Sequence, residues 1–162
     1  MTDIHIAAET GDMQTVLRLL NAGIDVEATD EMGYSPLRLA AASGRTEIVT
    51  MLLEHGADAN ATDESEFYTA LMGASANGHL EVARLLLSYG ANVNARDDYD
   101  ATALTRAAEY GYSDLVGLLL EHGADLSVRE ERGKTALELA AAFGHAEVAD
   151  LLRQNKKKRK WF

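Results

Sequence analysis

The sequence predicts an all-α solenoid of stacked helix–turn–helix units with projecting β-turn tips. Its glycines keep time: Gly11, Gly44, Gly78, Gly111 and Gly144 are spaced 33, 34, 33 and 33 residues apart. A second series, Gly23, Gly56, Gly90 and Gly123, always follows twelve residues behind the first. The 162 residues hold about five such periods with little left over. A period near 33 marks an array in which each unit buries its apolar face only against its neighbours.

One unit, residues 30–62, shows the order of elements. Asp30 to Gly33 has turn chemistry, with Asp first and Gly where a positive φ is expected. Ser35-Pro36 starts a helix through a hydroxyl N-cap and a proline at the first helical position. Leu37, Leu39, Ala40 and Ala41 make it short and thin, and Gly44 ends it. Thr46 is expected to cap a second helix with Ile48, Val49, Leu52 and Leu53 on its buried stripe. Gly56 stops that helix, and residues 57–62 lead to the next turn.

This order resembles the ankyrin repeat. Ser-Pro-Leu-Arg-Leu-Ala-Ala at 35–41 stands where that family has Thr-Pro-Leu-His-x-Ala-Ala. Gly-His-Leu-Glu-Val-Ala-Arg-Leu-Leu-Leu at 78–87 and Gly-Ala-Asn-Val-Asn-Ala at 90–95 are similar to its pattern as well. The units are read as 4–29, 30–62, 63–96, 97–129 and 130–155, with capping units at both ends of a single domain over 1–155. Arg153 stands where the other units have Leu20, Leu53, Leu87 and Leu120, a polar residue suited to a last unit. Residues 156–162 form a basic tail.

A solenoid offers a long shaped surface and no enclosed chamber, so binding is expected rather than catalysis. No nucleophile elbow, phosphate loop or cysteine is present, and the histidines follow the repeat register rather than metal-ligand spacing. No enzyme activity, cofactor or metal is expected. The N-terminus lacks the pattern of a secretory signal, and no apolar run approaches the roughly 20 residues that cross a bilayer. These features, with the lack of cysteine, suggest a cytoplasmic monomer with no integral membrane segment.

Acidic residues outnumber basic ones 26 to 15, a net charge of −11. Five of the basic residues are Lys156, Lys157, Lys158, Arg159 and Lys160, so residues 1–155 hold ten against 26, a net −16. The repeat body should repel nucleic acid, whereas the tail could address the protein to the nucleus or to an anionic membrane.

Departures from the repeat cluster in the middle of the array. The turn of unit three has an extra residue and no glycine; that of unit four has Asp100 in the glycine's place. Gly73 and Arg106 replace the leucines seen at 39 and 139, and Gly117 is expected to interrupt the second helix of unit four. Six of the ten aromatics fall on tips (Tyr34, Phe67, Tyr68, Tyr99) or at the ends of first helices (Tyr110, Phe143). The tips are also acidic: Asp30, Glu31, Asp63, Glu64, Glu66, Asp97, Asp98, Asp100, Glu130 and Glu131.

In the family this pattern resembles, partners bind along the concave face of turn tips and first helices. The resemblance therefore implies a protein-interaction module that contacts its partner through Met32, Tyr34, Phe67, Tyr68, Tyr99, Arg106, Tyr110, Arg132 and Phe143. The aromatics would anchor, and Arg106 and Arg132 would donate hydrogen bonds. An acidic rim around aromatics selects a partner with basic and apolar groups. Two alternatives stand beside this reading: a designed or reconstructed scaffold with no selected partner, and a nuclear or membrane-associated regulator addressed by its tail.

Overall fold

Ten α-helices, arranged in five pairs, make up the described part of the chain. The computed structural model describes residues 3–63 and 66–158. The pairs are α1 (Asp3–Thr10) with α2 (Met13–Asn21), α3 (Pro36–Ala42) with α4 (Thr46–Glu54), α5 (Ala70–Ala76) with α6 (Leu80–Ser88), α7 (Ala103–Tyr110) with α8 (Ser113–Glu121), and α9 (Ala136–Ala142) with α10 (Ala146–Lys158). Each first helix packs on the next first helix, and each second helix on the next second helix. The first helices carry alanine at their contacts and approach closely; leucines hold the second helices further apart.

Hydroxyl caps set the start of each first helix from α3 on. Ser35 Oγ accepts the Arg38 N–H at 3.2 Å, and Thr69 Oγ1 accepts that of Met72 at 3.2 Å. Thr102 and Thr135 do the same in full capping boxes with Thr105 and Glu138. The expectation for Thr46 differs from the structure. Thr46 is the first helical residue of α4 and Arg45 is the N-cap, with no side-chain cap. The Arg45 guanidinium is used elsewhere, donating from Nε to the Glu9 carbonyl 3.0 Å away.

That contact recurs along the stack. His79 Nε2 lies 3.0 Å from the Ala42 carbonyl and His145 Nε2 2.9 Å from that of Glu109. Each ring thus meets a carbonyl left open at the end of the preceding first helix, which gives these histidines a structural role. Gly111 shows why glycine precedes this position. Its φ is +81°, and a Cβ there would meet the His145 ring at 2.5 Å.

One continuous core of Ile4, Val16, Leu37, Ile48, Leu52, Leu71, Leu86, Leu104, Leu119 and Leu152 runs through the pairs. On the far side, Asn60 and Asn94 tie successive loops. Asn60 Nδ2 donates to the Gly90 carbonyl at 3.0 Å, and its Oδ1 accepts the Asn92 N–H at 2.7 Å. Asn94 repeats the pattern with Gly123 and Asp125.

Two further expectations differ from the structure. Gly117 does not interrupt α8, which runs unbroken from Ser113 to Glu121 because leucines on both sides fix the helix in the core. The basic run does not begin as a detached tail either. Helix α10 continues through Lys158, as lysines favour a helix C-terminus. Arg159 and Lys160 lie outside the described residues, as does Glu64 of the acidic rim.

Candidate functional site

Each turn from unit two on opens with a carboxylate that organises its own backbone. Asp30 Oδ1 accepts the N–H groups of Met32 and Tyr34 at 2.9 and 3.0 Å. Asp97 Oδ1 accepts those of Tyr99 and Ala101, both at 2.9 Å. Asp63 Oδ1 takes the Glu66 N–H at 2.7 Å, and Glu130 Oε1 that of Lys134 at 3.1 Å. The tips then join one another: Asp98 N–H donates to the Glu66 carbonyl at 3.0 Å and Glu131 N–H to the Tyr99 carbonyl at 2.8 Å. The result is a hydrogen-bonded ledge.

Burying these acids requires counter-charge. Arg38, from α3, reaches forward to Asp63 at 2.9 Å, and Arg106, from α7, reaches its own turn at Asp97 at 2.6 Å. Both aspartate side chains are wholly buried. Arg132 bridges Glu130 at 2.9 Å and Glu109 at 3.1 Å. Burial pushes the Glu130 carboxyl up, but the hydrogen bonds from Arg132 and Lys134 outweigh it and hold the group below its ordinary value. At Arg106 burial acts to lower the guanidinium pKa, but the hydrogen bond and charge of Asp97, with Tyr68 and Glu109, together hold it above its ordinary value.

The same arginines organise the aromatics. The Arg38 guanidinium lies 3.5 Å from the centre of the Tyr34 ring and 5.0 Å from that of Tyr68. Arg106 lies 5.8 Å from the centre of the same Tyr68 ring. A tyrosine–arginine ladder thus runs from unit two to unit four, with the buried aspartates tied into it. Burial pushes the Tyr68 phenol up, against the pull of both arginines.

This geometry sorts the residues expected at the interface. Met32, Phe67, Tyr99, Tyr110 and Phe143 stand exposed. Tyr34 and Tyr68 are half-buried walls of the ladder. Arg106, expected as a donor to the partner, has its NH2 engaged by Asp97 and its side chain largely covered, so in the chain itself it ties the tip to its helix. Arg132 keeps about half of its side chain exposed but is held by two carboxylates. Sequence reasoning missed Arg38, Glu109 and Ile6, the last an exposed residue of α1 at the register position of Leu39 and Leu139.

Phe67 combines two unfavourable features. It occupies the turn position of Gly33, Asp100 and Gly133, and its φ is +53°. That region costs a residue with a side chain roughly 1–2 kcal/mol. The residue is also 54% exposed, so packing does not repay the strain. Next along the ledge, Tyr99, Arg106, Glu109, Glu131, Arg132 and Leu139 line a cleft of about 350 Å³ between units four and five. The surface as a whole is cross-tied by hydrogen bonds, acidic at its rim and aromatic at intervals.

Comparison with known families places this architecture. The family model described as "Ankyrin repeats (3 copies)" matches residues 1–63, 62–130 and 97–160. A comparison with curated proteins found no match. Ankyrin repeats generally mediate contacts between proteins and are typically not enzymes.

Proposed function

The chain belongs to the ankyrin repeat family, and on that premise we propose that it is a non-enzymatic interaction module whose partner binds the face of turn tips and first helices. The observation that carries this reading is Phe67, a large exposed ring on a left-handed backbone at the centre of the ledge. Sites that break local rules at a cost in stability are enriched in function. Met32, Tyr99, Tyr110 and Phe143 extend the apolar contact to either side, and the tyrosine–arginine ladder beneath keeps the tips fixed. A preformed surface loses little freedom on binding, which favours affinity.

Exposed carboxylates beside the aromatics, among them Asp98 and Glu131, favour a partner carrying basic and apolar groups together. The test is a binding series on a captured partner. Phe67→Ala and Tyr99→Ala should each weaken binding by about 2 kcal/mol, as central anchors do. Asp98→Lys should chiefly slow association. Silent tip variants, with binding abolished by Glu54→Ala or Glu121→Ala on the second-helix face, would refute the reading.

A further inference from the structure

Two parts of this chain carry complementary chemistry. The tip face is acidic and studded with aromatics, on a body of net charge −16. Residues 156–162, Lys-Lys-Lys-Arg-Lys-Trp-Phe, hold a third of the basic residues, followed by two large aromatics. Helix α10 brings Lys156 to a cleft of about 490 Å³ at the end of the array, lined also by Asp125 and by Arg129, which is paired with Glu138.

We propose that residues 156–162 of one copy dock on the tip face of a second copy, with the basic run beside Asp98 and Glu131 and the terminal aromatics against Phe67 and Tyr99. The proposal rests on the tip face being the binding surface. Among the described residues neither Asp98 nor Glu131 uses its carboxylate in an ion pair, so both are available to a cation.

Reach decides between the chain's own tail and that of another copy. Trp161 follows Lys158 by three residues, an extended span of about 10 Å. Phe67 lies two units away from α10, and packed helices are spaced roughly 8–10 Å apart, so about 20 Å separates them along the stack alone. The tail of a second copy has no such limit. Seven residues bury less than a standard interface does, so the association is weak, concentration-dependent and reduced by salt. Tail-to-face contact is heterologous: it closes into a pair when both tails engage, and otherwise extends into chains.

Trp161 is the chain's only tryptophan, so its emission reports the docking directly. Sedimentation velocity and Trp161 fluorescence of the intact chain across a concentration series form the test. Both mass and blue shift should rise together with concentration. Phe67→Ala, and separately the pair Asp98→Lys with Glu131→Lys, should weaken association by about tenfold or more while circular dichroism stays native. Trp161→Ala alone should weaken it as much, and mixing it with Phe67→Ala should restore part of the association, because one variant keeps the face and the other the tail. An intact chain that stays monomeric, a blue shift independent of concentration, or self-association indifferent to Phe67→Ala would each overturn the proposal. If a different protein still loses binding on Phe67→Ala, the tip face remains the binding surface and only the tail proposal falls.

Discussion

Arg106 holds its NH2 2.6 Å from Oδ2 of Asp97, and the aspartate side chain is wholly buried. Units two and five have Leu39 and Leu139 at the register of Arg106. In unit four an apolar contact has thus been exchanged for an ion pair that ties the tip to its helix. The pair also places the guanidinium beside Tyr68.

Restoring the leucine should therefore destabilise the protein. Arg106→Leu leaves Asp97 buried without its counter-charge, a loss of about 2 kcal/mol once the partial exposure of the arginine is allowed for. Adding Asp97→Asn should recover part of it. A double-mutant cycle in urea checks this, with a coupling above about 1 kcal/mol expected.

Phe67→Gly should separate stability from binding. Glycine accepts the positive φ at Phe67, and little packing is lost with the exposed ring. Unfolding free energy should rise by about 0.5–1 kcal/mol after the entropic cost of glycine is subtracted. Binding should weaken. A fall in stability would mean that the ring holds the turn.

Gly117→Ala should stabilise by about 0.5–1 kcal/mol, the helix preference of alanine over glycine. Helix α8 is continuous there, and a Cβ would meet nothing within 4 Å. Chemical denaturation reads the gain, and a loss would place an unseen close contact at this site.

The helix pairs were legible because their signals are local: glycine at helix ends, hydroxyls at first-helix starts, and apolar spacing between. The role of Arg38 was not, because its partner Asp63 lies in the next unit and nothing near 38 announces it. Glu109 is the same case, meeting Arg132 across 23 residues. Tyr34 and Tyr68 could be placed on tips by register, but their burial depends on where the arginines turn. Arg45 shows a local signal overridden, since its long side chain serves the preceding helix end while Thr46 enters the helix. The left-handed strain at Phe67 was only half visible, as a turn lacking its glycine.

Acid should weaken the ledge through Glu130. Its folded pKa lies below the ordinary 4.5, so the unfolded chain takes up this proton first as pH falls. The stabilisation is complete above the ordinary value and is lost as pH drops through the folded one. Urea midpoints measured from neutral pH to about pH 3 should fall less steeply in Glu130→Gln than in the unchanged chain.

The most direct test of the tip-face assignment is site-specific photo-crosslinking in cells. A photoreactive residue replaces Phe67 or Tyr99 on the ledge, and Glu54 or Glu121 on the second-helix face. The account predicts that the two ledge positions capture the same partner protein, and that Asp98→Lys reduces its yield at position 99. Capture of that partner from 54 or 121, with nothing from 67 and 99, would contradict it.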